Sequence, residues 1–346
     1  MNMKPITEAK DLSGKRVLLR VDWSVPIAGD EIVSDYQILK TLPTIDYLRK
    51  AGAKVTIVSH MERDKDSLEP VYNYAKKLLP SLTFDKPSDL VLLENLRQHA
   101  GEKENSEKFA KELARKADIF VNEAFPVSHR EHASIVGVPK FLPSFAGFQL
   151  IKEVEALSKV FYPKHPFLFI IGGAKFDTKL PLLKKFIHVA DKIFVGGALA
   201  HNFFREIGRD IGDSLVSDGD YDLRELLQTD KISLPDDTIT EGTKIMDAGP
   251  VTMENLRRKI MNAQLILWNG PLGAYERGYR TATLDLAKMI AESGKESIIG
   301  GGDTLAAVAE LNLFDKFSFV STGGGAMLDF LSSGTLPGIE ALKESV

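Results

Sequence analysis

The stretch PFLFIIGG, residues 166–173, is a short apolar run that ends in glycine, and it decides the fold of the second half of the chain. Four later runs end in the same way, namely IFVGG (193–197), LILWNG (265–270), SIIGGG (297–302) and FSFVSTGGG (317–325). Each run is bounded by a break and followed by a helix-like pattern, which is typical of buried parallel strands covered by helices on both faces. We therefore predict an α/β fold with mainly parallel strands.

The glycines that end these runs indicate where a ligand binds. Glycine has no side chain, so the backbone can come close to a ligand at such a position. In an open parallel sheet, ligands bind outside the carboxyl ends of the strands. The second half is therefore predicted to bind a bulky anion at this edge, most simply a nucleotide.

The first half also alternates strands and helices, but its strands end in polar residues. The predicted strands are RVLLRVD (16–22), KVTIVSH (54–60), LVLLENLR (90–97) and DIFVN (118–122). Between them, the apolar spacing of amphipathic helices occurs at residues 38–50, 71–79 and 106–116. One half thus has a polar, mostly basic edge and the other a glycine-lined edge, which indicates two domains that bind two ligands.

A stretch without helix breakers, FQLIKEVEALSKVF at 148–161, is predicted to be a helix that connects the two domains. The prolines of the following YPKHP end this helix before the next strand. We predict a first domain over residues 1–147 and a second over 162–334. A chain of 346 residues also favours two domains.

Composition argues against several classes of protein. The net charge of −4, without blocks of like charge, argues against nucleic-acid binding. There is no cysteine, so disulfides and thiolate metal sites are excluded. The first residues lack the apolar core of a secretory signal, and no run approaches the ~20 apolar residues of a membrane span. We expect a cytoplasmic protein with no membrane or nucleic-acid partner.

Basic residues follow the predicted strands of the first half. Arg63, Arg97 and Arg130 lie at or just beyond strand ends, with His60 and His129 beside them. Guanidinium groups bind carboxylates and phosphates bidentately, so convergence of the arginines predicts a site for an anion with several oxygens. The alternative is that each arginine is a surface residue paired with a local acid.

Two motifs of the second half suit phosphate groups. Gly173, Ala174 and Lys175 follow a predicted strand and open a helix, with Lys179 one turn later. Amides at a helix start and a lysine make a phosphate site, although Walker A spacing is absent; the alternative is a tight turn with two solvent-facing lysines. Asp303 follows three glycines, where it would either cap a helix or hold Mg²⁺ beside a nucleotide.

One further candidate is Glu276, which follows the turn WNGPLGAY. It would accept hydrogen bonds from ribose hydroxyl groups, or it is an ordinary exposed glutamate. No zinc motif or covalent nucleophile stands out, which suits phosphoryl transfer, because that reaction depends mainly on positioning and charge stabilisation.

Together these segments resemble the phosphoglycerate kinase family over nearly the whole chain. RVLLRVD, LLENLR, VNEAF with SHREHAS, GGAK, WNGPLGAYE, GGGDT and STGGGA occur in the family's order. The resemblance implies two Rossmann-like three-layer αβα domains joined by a hinge helix, with the tail, residues 335–346, packing back on the first domain. It implies a monomeric glycolytic enzyme that uses Mg²⁺ and transfers a phosphoryl group from 1,3-bisphosphoglycerate to ADP, giving 3-phosphoglycerate and ATP. It also implies that hinge closure excludes water from the transfer.

The resemblance also implies roles for individual residues. The implied phosphoglycerate contacts are Asp22, Ser24, Gln37, His60, Arg63, Arg97 and Arg130. The implied nucleotide contacts are Gly173, Ala174, Lys175, Lys179, Asn269, Pro271, Glu276, Gly302, Asp303 and Thr304, with Asp303 also at the metal. The implied stabilisers of the transferred group are Lys175 and the amides of Gly323, Gly324 and Gly325.

Departures from the family's pattern cluster on the phosphoglycerate side. Gln37 stands where the family usually has an arginine that bridges the substrate and the transferring phosphoryl group. Loss of one such charge-stabilising donor costs roughly a hundred- to thousand-fold in rate. Ser24 replaces an asparagine, Glu62 and Asp64 add acids, and Pro126 replaces a glycine and removes a backbone donor. The motifs on the nucleotide side are nearly intact.

Three hypotheses therefore remain open. The first is an active kinase with an altered substrate site and reduced activity, in which Lys40 compensates for the charge that Gln37 lacks. The second is a nucleotide-binding homologue without efficient turnover, and the third is a kinase for a related acyl phosphate. We favour the first, because the motif resemblance extends over both halves.

Overall fold

The structure is a computed structural model that describes residues 3–29 and 31–345. The chain forms two compact units, and the first also contains the end of the chain. Unit 1 is Met1–Glu155 with Ser333–Val346, and unit 2 is Ala156–Ser332. The junction between them falls within the helix that was predicted to connect the two halves.

Unit 1 contains eight described strands, of which six form one sheet and two form a small hairpin. The strands are β1 (Arg16–Arg20), β2 (Ile27–Ala28), β3 (Glu31–Ile32), β4 (Lys54–Val58), β5 (Thr83–Phe84), β6 (Leu90–Leu92), β7 (Ile119–Asn122) and β8 (Ser144–Ala146). The helices in this part of the chain are α1 (Tyr36–Lys50), α2 (Glu69–Leu78), α3 (Ala100–Lys103), α4 (Glu107–Ala114) and α5 (Phe148–Ser158).

The sheet of unit 1 is parallel throughout, in the order β5-β6-β4-β1-β7-β8. Its central strand β1 pairs Arg20 with Val58 on one side and with Asn122 on the other. The three strands therefore end in register, and the residues that follow them meet at one edge. Strand β1 is apolar and fully buried from its second residue to its fourth, as expected for a strand covered on both faces.

Unit 2 contains eight described strands, again with six in one sheet and two in a hairpin. They are β9 (Phe167–Ile171), β10 (Lys192–Val195), β11 (Ile232–Ser233), β12 (Thr238–Glu241), β13 (Lys244–Ala248), β14 (Leu265–Asn269), β15 (Glu296–Gly300) and β16 (Phe319–Val320). The helices are α6 (Phe176–Phe186), α7 (Ala198–Glu206), α8 (Arg224–Gln228), α9 (Pro250–Asn262), α10 (Thr281–Glu292), α11 (Gly302–Glu310) and α12 (Gly325–Ser333).

The sheet of unit 2 is also parallel, in the order β11-β10-β9-β14-β15-β16. Ile171 at the end of β9 pairs with Val195 and with Asn269, and Asn269 pairs with Gly300. The glycine turns after these four strands therefore lie along one edge. All five residues of β9 and all five of β14 are buried, as the apolar runs predicted.

The strand predictions are confirmed in type, but several strands are shorter than predicted, and FSFVSTGGG forms a strand only over the two residues of β16. LVLLENLR forms a strand only over β6, and a 3-10 turn follows at Leu96–Gln98. The strand ends there because Glu94 Oε1 accepts hydrogen bonds from the amides of Leu68 and Asn95, and Asn95 Oδ1 accepts one from the amide of Arg97. Side chains that bind nearby backbone in this way compete with strand pairing.

The last helix, α13 (Pro337–Lys343), belongs to unit 1. It packs against the helical turn Ala133–Gly137 and against β8. The amide of Gly338 donates a 2.8 Å hydrogen bond to the carbonyl oxygen of Ser128. A Cβ at Gly338 would lie 2.8 Å from a methyl carbon of Ile135, so this close approach requires glycine.

Within residues 3–29 and 31–345, every helix is too short or too polar to cross a lipid bilayer.

Candidate functional site

Unit 1 has a buried polar cluster at the carboxyl edge of its sheet. Because β1 and β4 end in register, Arg20 and Asp22 meet His60 there. Arg20 Nη2 lies 3.2 Å from His60 Nδ1, and Asp22 Oδ1 lies 3.8 Å from the same nitrogen. All three side chains are buried. Ser24 holds the carboxylate of Asp22 in place, because both the amide and the hydroxyl of Ser24 donate hydrogen bonds to Asp22 Oδ1.

Arg97 lies in the 3-10 turn after β6, at the same edge of the sheet. Its Nη1 donates to the carbonyl oxygens of Met61 (3.1 Å) and Glu62 (3.2 Å), just beyond His60. Among the described residues, Arg97 Nε is buried without a hydrogen-bond partner. A buried donor of this kind is costly unless a ligand or water satisfies it, so it favours an anion site here.

Asn95 holds the loop that carries Arg63. Its Nδ2 donates to the carbonyl oxygens of Arg63 (3.3 Å), Asp64 (3.2 Å) and Asp66 (2.8 Å). Its Oδ1 accepts from the amides of Met61 (3.1 Å) and Arg97 (3.0 Å). The loop and Arg97 are therefore positioned by one buried amide group.

Burial and the neighbouring arginines keep the histidines of this cluster neutral. Burial, followed by the charges of Arg20, Arg97 and Arg130, lowers the pKa of His60 well below its usual value. Burial and the same arginines lower the pKa of His132 to about 4. At neutral pH the positive charge of the cluster is therefore carried by guanidinium groups.

The remaining predicted residues of unit 1 are less enclosed. Arg63 and Arg130 are exposed, and Arg130 is close enough to lower the pKa of both His60 and Arg97. Gln37 is half-buried in the first turn of α1. Lys40, one turn further, lies with Nζ 4.8 Å from the centre of the Tyr36 ring.

Sequence reasoning missed the residues behind His60. Arg20 and Glu102 are fully buried, and the hydroxyl of Ser134 links them. The signal was present for Arg20, because it is a charged residue within an otherwise apolar buried strand. Charged residues are almost never fully buried unless they are paired.

Unit 2 has an open cleft of about 870 Å³ at the glycine turns of its sheet. Most of the residues predicted to contact a nucleotide line it, and they are Gly173, Ala174, Lys175, Lys179, Asn269, Pro271, Glu276, Gly302 and Asp303. Gly324 and Gly325 line it as well. Thr304 and Gly323 are absent from the lining. Thr304 is fully buried, and its hydroxyl accepts a 2.9 Å hydrogen bond from the amide of Gly270.

The turns after β9 and β14 need glycine because their backbones touch. The amide of Gly173 donates a 2.8 Å hydrogen bond to the carbonyl oxygen of Pro271. A Cβ at Gly172 would lie 2.1 Å from that oxygen, which no side chain permits. The close approach forms the floor of the cleft.

Four helices begin at the cleft. Lys175 precedes α6, Gly197 precedes α7, Gly301 precedes α11 and Gly324 precedes α12, and all four residues line the cavity. The unpaired amides and the dipole at a helix N-terminus favour negative charge. The cleft is therefore suited to a ligand with several phosphate groups.

Lys179, Asp303 and Glu276 are ionisable side chains of the cleft that influence one another. Lys179 is buried, its Nζ donates to the carbonyl oxygen of Gly172, and burial lowers its pKa to about 8. Burial and the charge of Glu276 raise the pKa of Asp303, while Lys179 opposes this. Among the described residues, no group of three or more histidine or acidic side chains is arranged to hold a metal. Asp303 is partly buried and Glu276 is exposed, and they lie near enough for the charge of Glu276 to raise the pKa of Asp303. Such a pair fits Mg²⁺, which uses one or two carboxylates together with substrate phosphates and waters.

Comparisons with known proteins agree over nearly the whole chain. The family described as phosphoglycerate kinase matches residues 6–334. Two relatives named phosphoglycerate kinase, from Rubrobacter xylanophilus and Thermosipho africanus, are each 39% identical; the alignments cover 96% of this chain and 97% and 96% of those proteins.

Solved structures of phosphoglycerate kinases give the same result. The structure from Coxiella burnetii matches with a TM-score of 0.84 at 34% identity, covering 99% of each chain. The structure from Pyrococcus horikoshii matches with a TM-score of 0.86 at 29% identity, covering 99% of this chain and 98% of that one. Together with the α/β fold, these matches define a phosphotransferase with a carboxyl group as acceptor. The chain belongs to the phosphoglycerate kinase family.

Proposed function

We propose that this chain transfers a phosphoryl group reversibly from 1,3-bisphosphoglycerate to ADP, giving 3-phosphoglycerate and ATP. The observation that carries this proposal is the family match over residues 6–334, which includes both the arginine cluster and the glycine-lined cleft. Each of these sites is suited to one of the two anionic ligands of the reaction.

In unit 1, the proposed ligand is the phosphoglycerate. Arg97 and Arg130 supply fixed positive charge, and Asp22 accepts a hydrogen bond from a substrate hydroxyl. His60 donates from its neutral ring, since burial and then the charges of the surrounding arginines lower its pKa. Arg63, on the loop held by Asn95, completes the set.

In unit 2, the proposed ligand is the nucleotide. The amides at the starts of α11 and α12 and the ammonium of Lys179 bind phosphate oxygens, and Lys175 follows the transferred group. Mg²⁺, when bound through Asp303, would neutralise charge on the phosphates. These fixed charges and dipoles stabilise a transition state in which negative charge is spread over the transferring oxygens.

The proposal includes reduced activity because of Gln37. Its amide can donate a hydrogen bond but carries no charge, whereas the family usually has a guanidinium at this position. Lys40 is engaged with the ring of Tyr36, so it is a weak substitute.

A coupled assay tests the proposed function. Purified protein with ATP, Mg²⁺ and 3-phosphoglycerate should give a rate, read through a dehydrogenase that consumes the acyl phosphate, that disappears when 3-phosphoglycerate is omitted. Lys175→Ala should lower this rate roughly a hundred- to thousand-fold. Lys184→Ala is the matched control, because Lys184 is an exposed lysine of α6 outside the cleft. A background rate for the wild-type protein, with nucleotide binding intact, would favour a nucleotide-binding homologue without turnover.

A further inference from the structure

A buried pair of opposite charges lies behind His60. Arg20 and Glu102 are both fully buried, with Arg20 Nη2 3.9 Å from Glu102 Oε1. The hydroxyl of Ser134 joins them, because it accepts from Arg20 Nε (2.8 Å) and donates to Glu102 Oε1 (2.6 Å). The amide of Ser134 donates to Glu102 Oε2 at 3.0 Å. The carboxylate thereby fixes the hydroxyl, and the hydroxyl fixes the guanidinium.

The direction of hydrogen bonding determines the tautomer of His60. Arg20 Nη2 lies 3.2 Å from His60 Nδ1, and a guanidinium group can only donate. Nδ1 must therefore accept, so the single proton of the neutral ring lies on Nε2. Asp22 Oδ1, at 3.8 Å from Nδ1, would favour the opposite tautomer if Arg20 were removed.

We propose, on the basis of the proposed function, that Arg20 is a positioning residue which holds His60 as the Nε2–H tautomer. The ring then has one donor, at Nε2, for an anionic group of phosphoglycerate. Glu102 and Ser134 hold Arg20 in the orientation that this requires. The buried pair thus acts on the substrate through His60 and not through contact of its own.

Burial explains why Arg20 needs a partner of this kind. Burial lowers the pKa of Arg20, while the charges of Glu102 and Asp22 raise it. A buried guanidinium without a carboxylate is strongly unfavourable, whereas replacing both members of a buried pair with neutral groups is often tolerated. A charge-balanced double variant is therefore the sharper test.

The first measurement is the tautomer of His60 in the full-length protein. Long-range proton–nitrogen NMR correlations of nitrogen-labelled histidine distinguish Nε2–H from Nδ1–H rings, and a His60→Gln variant identifies the signal among the seven histidines. We expect His60 to be the Nε2–H tautomer at pH 7. A Nδ1–H ring would overturn the proposal, whatever the activity of the protein.

The second measurement uses the double variant Arg20→Met with Glu102→Gln. We expect His60 to shift toward the Nδ1–H tautomer and KM for 3-phosphoglycerate to rise about tenfold or more, while KM for ATP stays within about twofold. The control is Arg16→Met with Asp118→Asn, which removes an exposed ion pair at the other end of the same strand. An unchanged tautomer and an unchanged KM in the folded double variant would overturn the proposal.

Ser134→Ala gives an independent result if the double variant does not fold. It removes the hydroxyl that Arg20 and Glu102 share but keeps both charges. We expect a mixture of His60 tautomers, and a pure Nε2–H ring would contradict the role of Ser134. The tautomer measurements do not require catalytic turnover. A wild-type protein without kinase activity would therefore refute the proposed function, while the NMR result alone would decide whether Arg20 positions His60.

Discussion

Lys179 donates a hydrogen bond from Nζ to the carbonyl oxygen of Gly172, in the turn after β9 that forms part of the floor of the cleft. This contact fixes a buried ammonium in the lining of the cleft that is proposed to bind the phosphates. The pKa of Lys179 is lowered to about 8, mainly by burial; the charge of Asp303 opposes this shift and that of Lys175 adds to it. The group is thus poised to gain a proton when an anion binds.

We predict that nucleotide binding is coupled to proton uptake at pH 8. With a pKa near 8, Lys179 is about half protonated in the free protein, and bound phosphate favours its charged form. Calorimetry of ADP binding in buffers of different ionisation enthalpy should therefore show uptake of up to about half a proton. The uptake should vanish in Lys179→Met and persist in Lys184→Met. Binding heats that do not depend on the buffer would contradict the prediction.

Restoring the missing charge on α1 should raise the rate. We predict that Gln37→Arg increases kcat at least about tenfold, because one charge-stabilising donor is typically worth roughly a hundred- to thousand-fold in rate. Val33→Arg is the control, since it adds the same charge at an exposed position before the helix. If the folded Gln37→Arg protein gains nothing and Val33→Arg behaves alike, the substrate site has been rebuilt around glutamine.

The sheets were predictable from sequence, while the contacts behind the sites were not. A continuous apolar run such as FLFII at β9 predicts a buried strand that is covered by helices on both faces. The edge strands β5, β8 and β11 escaped prediction because two or three residues carry no periodicity.

Some site residues were likewise predictable from the sequence, and others were not. The glycines and lysines of the cleft follow directly from strand ends, so their motifs predicted where they lie. Arg20 and Glu102 are 82 positions apart in sequence, and only the register of β1 and the position of α3 bring them together. Thr304 was predicted as a nucleotide contact from its motif, but the sequence did not indicate that its hydroxyl accepts a hydrogen bond from the amide of Gly270, which depends on the turn geometry.

Removing the carboxylate at the start of α11 should change the metal requirement. We predict that Asp303→Asn raises the Mg²⁺ concentration needed for half-maximal rate at fixed ATP about tenfold or more, because a neutral amide is a weaker ligand for a hard cation than a carboxylate. Chelation with EDTA should abolish the wild-type rate, and added Mg²⁺ should restore it. Asp285→Asn, on the neighbouring helix and outside the cleft, is the control. Identical Mg²⁺ titrations for Asp303→Asn and the wild-type protein would exclude Asp303 as the ligand.

The last prediction concerns Glu123, which follows β7 and is buried at the N-terminus of α5. Its carboxylate accepts hydrogen bonds from the hydroxyl of Thr44 and from the amides of Gln149 (3.1 Å) and Leu150 (3.3 Å). Burial nevertheless raises its pKa from 4.5 to about 7, although these donors oppose the shift. Between these two values the folded protein holds a proton that the unfolded chain releases. The contribution of Glu123 to stability is therefore fully present below about pH 4.5 and is lost as the pH rises to 7.

We predict that Glu123→Gln reduces this pH dependence. The amide keeps one acceptor for the helix amides but cannot ionise, so the unfolding free energy of the variant relative to the wild-type protein should improve as the pH rises from 5 to 7.5. The total change is on the order of 3 kcal/mol if the full shift is realised. Urea unfolding at several pH values measures it, with Glu155→Gln, an exposed glutamate of the same helix, as the control. Parallel stability curves for Glu123→Gln and the wild-type protein would mean that Glu123 is already ionised throughout this range, held so by the donors at the start of α5.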